Sequence, residues 1–278
     1  MTALLAFTAD LRARRSGRRA RGQGGAALAA LALVLAGCSA SSPDEAAAIS
    51  AAARMGNATL PAPAARAKPI PMKGEATQGV LVQAGDSIGV GLGADDWAAI
   101  EHLGLPPGIK VRNVSVSGQW MLTGLGERDK NLFPNRDPNH ASVLLIEQGT
   151  NDLMGGNSAD YLYQNILRPF VAKAQEAGFY VAVNTILPRA DDGWMSDPQH
   201  ERERVDYNKL VRANAVGADT VIDVASDPEI GDRVDPALSP LFADRIHPNR
   251  QGQERLAKIY AAPIKLMLRY PPRAPAGV

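Results

Sequence analysis

The chain has 278 residues, of which 45% are hydrophobic and 21% are charged, as is typical of a soluble globular protein with one main core. The net charge is +1, but residues 1–37 hold six arginines and one acid, and the remaining residues carry 24 basic and 28 acidic side chains, a net charge of −4. The body of the protein therefore has no basic excess that would attract nucleic acid or anionic lipid, and we expect no nucleic-acid partner.

The N-terminal segment has the pattern of an export signal. The arginine cluster is followed by an apolar stretch at residues 26–37, which is shorter than the roughly 20 residues that span a bilayer. The sequence LAGCS at residues 35–39 resembles the lipobox of bacterial lipoproteins, whose cysteine is acylated, and Cys38 is the only cysteine of the chain. We predict that residues 1–37 are a lipoprotein signal peptide and that a lipid on Cys38 anchors the protein in the bacterial cell envelope. A plain signal peptide with a free cysteine is the alternative.

Residues 38–77 are rich in alanine and proline, which favours a semi-extended tether between the anchor and a folded domain. A short helix over residues 44–55 is the one regular element that the pattern of this segment indicates.

From residue 79 onward, strand patterns alternate with helical patterns. This alternation predicts an α/β fold with three layers, in which helices cover both faces of a parallel sheet of about five strands. The predicted domain covers residues 78–270 and is followed by a tail at residues 271–278. Strands are predicted at 79–84, 111–116, 142–147, 179–183 and 220–224, helices at 161–177, 203–214 and 253–269, and a polar loop at 188–202.

Chemically useful residues follow the predicted strands. Ser87 stands directly after the first strand, in the sequence GDS at residues 85–87, and Gly118 and Asn151 follow the second and third strands. The carboxyl ends of parallel strands form the edge where open α/β sheets place their active sites. Near the C-terminus, Asp244 and His247 stand three residues apart, so the carboxylate can orient the imidazole within one turn.

These residues are the parts of an acyl-transfer site. Ser87 is the predicted nucleophile, His247 the base and Asp244 the residue that orients the base. The backbone N–H groups of Ser87 and Gly118, together with the side-chain amide of Asn151, would hold the oxyanion.

The same blocks of sequence resemble the SGNH hydrolases, which are also called GDSL esterases or lipases. The resemblance rests on GDSI at residues 85–88, Gly118, GTND at 149–152 and DRIHP at 244–248, and it covers the chain from Gly79 to the last helix. It implies a flavodoxin-like sheet and ester hydrolysis without a metal or other cofactor. Ile88 replaces the leucine of the family name, which is a conservative change. The Asp-x-x-His spacing favours this family over ordinary α/β-hydrolases, whose acid precedes the histidine by a long interval.

Other residues near these blocks have weaker signals. Trp120, Met154 and Trp194 are candidates for lining the substrate pocket, although packing in the core explains them equally well. We expect Asp86 to bond backbone groups of its turn and Asp152 to cap a helix or brace a loop. The remaining histidines lack the spacing of metal ligands, and we expect them at the surface: His102, His140 and His200.

The leading hypothesis is a secreted, lipid-anchored serine esterase that hydrolyses carboxylic esters through an acyl-enzyme. A small-molecule ester or an O-acetyl group on a polysaccharide is the favoured substrate. A lysophospholipid, a thioester or an aryl ester is an alternative on the same site, as is acyl transfer to an alcohol. A lipoprotein that binds envelope components without catalysis is the alternative from another class. The sequence does not predict an oligomeric state.

Overall fold

The computed structural model describes residues 69–122 and 128–276. All of these residues belong to one structural unit. The predicted signal peptide, Cys38 and the predicted helix at 44–55 lie outside the described residues, as does most of the predicted tether.

Five parallel strands form the central sheet, in the order β2-β1-β3-β4-β5. The first strand lies inside the sheet and the chain then winds outward on either side of it, which is the flavodoxin-like strand order. The predicted three-layer α/β fold is confirmed. The strands are β1 (Gly79–Gly85), β2 (Ile109–Asn113), β3 (Ser142–Glu147), β4 (Tyr180–Asn184) and β5 (Thr220–Ile222).

The second strand was predicted too late in the chain, at residues 111–116. It begins at Ile109, which pairs with Gly79 of β1, and it ends at Asn113. The side chain of Asn113 accepts a hydrogen bond from the N–H of Ser115 at 3.1 Å, and this local turn ends the strand. The change matters because it places residues 114–122 in a loop at the carboxyl edge of the sheet.

The described helices lie on both faces of the sheet. Helical structure is continuous from 159 to 176, with a π-helical stretch, Leu162–Leu167, between two α-helices. The α-helices are α1 (Ser87–Val90), α2 (Arg128–Asn131), α3 (Thr150–Met154), α4 (Ala159–Tyr161), α5 (Arg168–Glu176), α6 (Asp192–Met195), α7 (Pro198–Ala213) and α8 (Arg250–Met267).

The predicted polar loop at 188–202 is wrong in its second half. Asp197 accepts a hydrogen bond from the N–H of Gln199, and Pro198 occupies the first helical position, so α7 starts at Pro198. The short helix α6 also lies within this segment. The last helix likewise begins at Arg250 instead of 253, because Asn249 caps the N–H groups of Gln251 and Gly252.

Two hydrophobic cores lie on opposite faces of the sheet. Successive residues of β3 alternate between them, with Leu144 and Ile146 in one core and Val143 and Leu145 in the other. The first core is covered by the 159–176 helical run and α7, and the second by α8. Because both faces of the sheet are buried, the sequences of the strands are almost continuously apolar.

Both described ends of the chain lie at the amino edge of the sheet, opposite Ser87. Met72 exchanges hydrogen bonds with Arg269, which follows α8, and Arg273 forms an ion pair with Asp219. Tyr180 of β4 donates its hydroxyl hydrogen to the carbonyl oxygen of Pro271 at 2.9 Å. Among residues 69–122 and 128–276, no helix combines the length and the apolar character that a bilayer-spanning helix needs.

Candidate active site

Ser87 begins a tight turn at the carboxyl end of β1, which we call the Ser87 turn (residues 85–91). Asp86 precedes it as the N-cap, and its Oδ1 accepts a hydrogen bond from the N–H of Ile88 at 3.0 Å. Gly91 ends the turn with a φ of 88°, in a place where an added Cβ would lie 2.7 Å from the carbonyl carbon of Trp97. Only glycine fits this position, and the turn holds Ser87 with 7% of its surface exposed.

Ser87, His247 and Asp244 form a continuous hydrogen-bonded chain. The Oγ of Ser87 lies 2.9 Å from Nε2 of His247, and Nδ1 of His247 lies 2.8 Å from Oδ2 of Asp244. An ionised carboxylate only accepts hydrogen bonds, so Nδ1 carries the ring proton and Nε2 presents its lone pair to the Ser87 hydroxyl. This arrangement can remove the proton from Ser87 as its oxygen attacks.

The loop that carries His247, which we call the histidine loop (residues 243–248), is organised by Asp244. Its Oδ1 accepts hydrogen bonds from the N–H groups of Ile246 and His247, both at 2.7 Å. Partial burial of Asp244 opposes ionisation, but the bonds from the His247 ring and from these two N–H groups lower the pKa of its carboxyl group. Asp244 is therefore ionised at neutral pH, and the exposure of 54% of its side chain to water favours the same state.

Two of the three predicted oxyanion donors, Gly118 and Asn151, lie on two neighbouring segments. Asn151 lies in the first turn of α3, and its Nδ2 donates a hydrogen bond to the carbonyl oxygen of Gln119 at 3.1 Å. This contact brings the amide of Asn151 to the loop that contains Gly118. Gly118 is exposed with a φ of 74°, and no atom lies within 4 Å of the position that a Cβ would occupy. Its backbone N–H can therefore be approached without steric hindrance.

This loop is tied to the Ser87 turn by Gln148. The Nε2 of Gln148 donates to the carbonyl oxygen of Gly85 at 3.3 Å and to Oε1 of Gln119 at 3.0 Å. The N–H of Val116 also donates to the carbonyl oxygen of Gly85, at 3.2 Å. The ends of β1, β2 and β3 are thus joined within a few residues of Ser87.

Asp152 holds the loop that contains Gly118 through hydrogen bonds to its backbone. It is fully buried, and its two carboxylate oxygens accept hydrogen bonds from the N–H groups of Met121 at 2.7 Å and Leu122 at 3.0 Å. The sequence left helix capping and loop bracing open for Asp152. The structure places it as a brace that fixes the segment carrying Gly118.

Asp86 has an electrostatic environment opposite to that of Asp244. Only 1% of Asp86 is exposed, and this burial raises the pKa of its carboxyl group to about 7. The negative charge of Asp152 adds to the rise, whereas the bond from the N–H of Ile88 and the charge of Arg189 oppose it. Asp86 thus caps the Ser87 turn, and its ionisation lowers the stability of the folded protein.

Arg189 was missed in the sequence, although it follows β4 at the same edge of the sheet. Its Nε donates to Asp191 at 2.8 Å, and its Nη1 lies 3.4 Å from the hydroxyl of Thr150, the residue before Asn151. The next residue, Ala190, donates its N–H to the carbonyl oxygen of Arg245 at 2.9 Å. The segment after β4 therefore supports both α3 and the histidine loop. The strand-end rule that identified Ser87 would have indicated this segment too.

The three candidates for the pocket wall, Trp120, Met154 and Trp194, differ in how deeply they are buried. Trp194 is 1% exposed and belongs to a hydrophobic core, so its ring cannot stack on a substrate, and it contributes only a small part of the groove beside Pro188 and Met195. Trp120 is half-buried over Gly155, where an added Cβ would meet the indole ring. Met154 is half-buried, with its Cε against Gly193. Trp120 and Met154 remain candidates for the pocket wall.

The other histidines make structural contacts. His102 stacks on Trp97 with ring centroids 3.8 Å apart, His140 lies 3.2 Å from Asp137, and His200 packs against Trp194. Within the part of the chain that the structure describes, no three His, Cys, Asp or Glu side chains are grouped so that they can hold a metal ion.

Comparisons with known proteins agree with this geometry. The sequence model of the GDSL-like lipase/acylhydrolase family matches residues 84–255, which include every block named above. No curated protein matches the chain.

Solved structures share the fold at low sequence identity. A putative acylhydrolase from Bacteroides fragilis is 21% identical with a TM-score of 0.53, covering 73% of this chain and 92% of its own. TesA is 24% identical with a TM-score of 0.51, covering 68% and 99%. A variant of Axe2, an acetyl-xylooligosaccharide esterase from Geobacillus, is 18% identical with a TM-score of 0.51, covering 67% and 94%.

Proposed function

The chain belongs to the GDSL-like lipase/acylhydrolase family and is an ester-bond hydrolase, and from this premise we propose that Ser87 is its nucleophile, His247 its base and Asp244 the residue that orients the base. The observation that carries the proposal is the hydrogen-bonded chain from Ser87 through His247 to Asp244, with distances of 2.9 and 2.8 Å. A buried hydroxyl that faces an imidazole lone pair is activated for attack on a carbonyl carbon.

The reaction proceeds in two half-reactions. The Oγ of Ser87 bonds to the ester carbonyl carbon while its proton passes to Nε2 of His247, and the carbonyl oxygen becomes negative. The N–H groups of Ser87 and Gly118 and the amide of Asn151 stabilise this oxyanion. The carbon–oxygen bond to the alcohol then breaks, and His247 gives its proton to the leaving oxygen. Water, deprotonated by His247, attacks the acyl-enzyme and releases the acid and free Ser87.

Replacing the nucleophile tests this assignment. Ser87→Ala should lower kcat/KM on a p-nitrophenyl ester by about 10³-fold or more, because the acyl-enzyme can no longer form. Ser196→Ala, which changes an exposed serine on the segment between α6 and α7, should match the parent protein. A folded Ser87→Ala protein with parental activity would contradict the proposal.

We propose a short acyl ester, such as an O-acetyl group on an envelope or environmental polysaccharide, as the substrate class. The fold shared with an acetyl-xylooligosaccharide esterase supports this choice to a limited degree. Trp194 does not add support through stacking on a sugar ring, because its ring is buried.

A longer acyl ester is the second candidate, and one observation favours it. A surface groove begins at residues 188–190, beside Thr150 and Arg245, and its walls include Met195, Val234 and Pro236. Met195 is exposed there, and such an apolar wall suits an alkyl chain. A series of esters from acetyl to decanoyl, run together with an acetylated polysaccharide, separates the two candidates. The same series with an alcohol acceptor separates hydrolysis from acyl transfer.

We also propose that the enzyme works in the bacterial cell envelope, anchored by a lipid on Cys38. The arginine cluster, the apolar stretch and the sequence LAGCS support this placement. Cys38→Ser should release the enzyme from the membrane fraction while its activity on a soluble ester is retained. Retention of this variant in the membrane fraction would contradict the lipid anchor.

A further inference from the structure

A layer of polar side chains lies directly beneath the Ser87 turn. Gln83 and Glu147 lie near the ends of β1 and β3, and Ser115 lies in the loop two residues after β2. Nε2 of Gln83 donates to Oγ of Ser115 at 3.3 Å. None of these side chains takes part in the reaction proposed above. Their convergence under a nucleophile therefore needs an explanation.

Glu147 approaches the backbone of the turn on both sides of Ser87. A Cβ added to Gly85 would lie 2.7 Å from Oε2 of Glu147, and a Cβ added to Gly89 would lie 2.6 Å from the same atom. Both hypothetical Cβ positions are also 2.6 Å from Oγ of Ser115. The two glycines leave room for this oxygen, so the carboxyl group of Glu147 helps to define where the turn lies.

Three buried oxygen atoms in and around this layer have no hydrogen-bond partner. Oε2 of Glu147 is buried and has no hydrogen-bond partner, and the same is true of Oε1 of Gln83 and Oδ1 of Asn184. All three are oxygen acceptors. An ionised carboxylate would only accept hydrogen bonds, whereas a protonated carboxyl group adds an O–H donor for one of these oxygen atoms.

The charged and titratable neighbours favour the protonated form. Asp86 faces Glu147 from the Ser87 turn, and Tyr260 faces it from α8. The other described neighbours are neutral side chains: Gln83 of β1, Asn184 of β4 and Ser115 of the loop after β2. Burial raises the pKa of Glu147 well above its ordinary value, and the charge of Asp86 raises it further. The residue as a whole is only half-buried, so its proton can exchange with solvent.

We propose that Glu147 is a positioning residue for Ser87 that works as a neutral carboxylic acid. In this form it donates a hydrogen bond to an acceptor oxygen of the polar layer and holds the turn through Gly85 and Gly89. When Glu147 loses its proton, a negative charge lies against the Ser87 turn beside Gly85 and Gly89, and it acts on the charge that develops at Ser87 in the transition state. Ionisation therefore lowers kcat, both through loss of the hydrogen bond and through repulsion of the oxyanion.

The test is the pH dependence of kcat and KM on p-nitrophenyl butyrate for three variants. The inference rests on the proposed role of Ser87, but Glu147→Gln has its own readout. The parent protein should lose kcat at alkaline pH as Glu147 ionises. Because glutamine is neutral at every pH, Glu147→Gln should keep kcat within about threefold of the parent at pH 7 and should show no such alkaline fall. Glu147→Leu, which has no donor, should lower kcat about tenfold with little change in KM.

Glu254→Gln is the matched control, because Glu254 is exposed on α8 in an ion pair with Arg250, and it should show the parental profile. Two results would overturn the proposal: a folded but inactive Glu147→Gln, which would mean that the charge is needed, or an unchanged alkaline fall in that variant.

If Glu147→Gln does not fold, the carboxyl ¹³C shift of Glu147 in the parent protein decides. A signal of the ionised form at pH 7 would overturn the proposal as well. Loss of activity in Ser87→Ala is independent of all these results, so failure of this inference leaves the proposed function intact.

Discussion

The Ser87 turn and the histidine loop meet in one hydrogen bond, yet they are held in place in different ways. The Ser87 turn is largely buried, ends β1 and lies on the polar layer of Gln83, Ser115 and Glu147. The histidine loop is mostly exposed and is held by hydrogen bonds made by its own backbone, by Asp244 and by an ion pair between Arg245 and Asp192. One side of the site is fixed by the core, and the other by a few local contacts.

The two sides of the site also differ in how readily their carboxyl groups ionise. A buried carboxyl next to the nucleophile is costly when ionised, as the raised pKa of Asp86 shows. An exposed carboxyl next to the base stays ionised without that cost, and it can stabilise the imidazolium that forms during the reaction. The negative charge that stabilises the imidazolium, that of Asp244, therefore lies on the exposed histidine loop. The carboxyl group of Asp86, which caps the Ser87 turn, is buried.

The largest loss of activity is expected from a change on the buried side of the site, next to the Ser87 turn. Asn151→Ala removes a donor to the oxyanion and should lower kcat by about 10²–10³-fold, with a smaller change in KM, because the lost interaction strengthens in the transition state. Steady-state kinetics on a p-nitrophenyl ester measure this change. Asn139→Ala, in an exposed position before β3, serves as the control. If KM rises while kcat is unchanged, Asn151 binds the ground state and is not an oxyanion donor.

A smaller effect is expected on the exposed side. Asp244→Asn removes the charge that stabilises protonated His247, and solvent already screens part of that interaction. Hydrogen bonds to charged groups contribute about 1.5–3 kcal/mol, which corresponds to a loss of about 10–10² in kcat/KM. The melting temperature should change little, because the loop lies outside the hydrophobic cores. Asp235→Asn, another exposed aspartate in a turn, is the control. A loss of stability as large as the loss of activity would contradict the view of the loop as a local structure.

The smallest effect on activity, and a clear effect on stability, is expected for Asp86→Asn. The folded protein raises the pKa of Asp86 from 3.8 to about 7, so it binds the proton more tightly than the unfolded chain does. The stability that this proton provides is fully present below pH 3.8 and is lost as the pH rises to about 7. Asparagine keeps the acceptor for Ile88 without the charge.

The melting temperature of Asp86→Asn relative to the parent should therefore increase between pH 4 and pH 8, by a few degrees. Thermal unfolding followed by circular dichroism at several pH values measures it, with Asp96→Asn, in an exposed turn, as the control. A difference that is constant with pH would mean that Asp86 is not held at a raised pKa.

Local rules predicted the parts of the site that depend on a few consecutive residues. A serine after a buried strand and an aspartate three residues before a histidine can be identified from spacing alone, and the structure joins these residues in one hydrogen-bonded chain. The surroundings of Glu147 could not be identified in this way, and the strand-end rule indicates the segment after β4 without singling out Arg189. The environment of Glu147 depends on residues from neighbouring strands, and the contacts of Arg189 depend on how the segment after β4 folds back.

The error at residues 188–202 has the same origin. The segment is polar in sequence and was predicted to be a loop, but the cap at Asp197 starts a helix there. Trp194 lies in α6 within this segment, and its burial follows from packing against the helices around it. The buried ring of Trp194 thus fixes the segment on the core, while Pro188 and Met195 of the same segment line the surface groove.

The pairing of Met72 with Arg269 at the amino edge has a mechanical consequence. Tension on the N-terminal segment enters the domain where the start of β1 lies against the end of α8, at the greatest distance along the strands from Ser87. The load passes into the parallel strand pairs of β1 before it can reach the catalytic edge. The anchor proposed on Cys38 would therefore pull on the edge of the sheet opposite Ser87, His247 and Asp244.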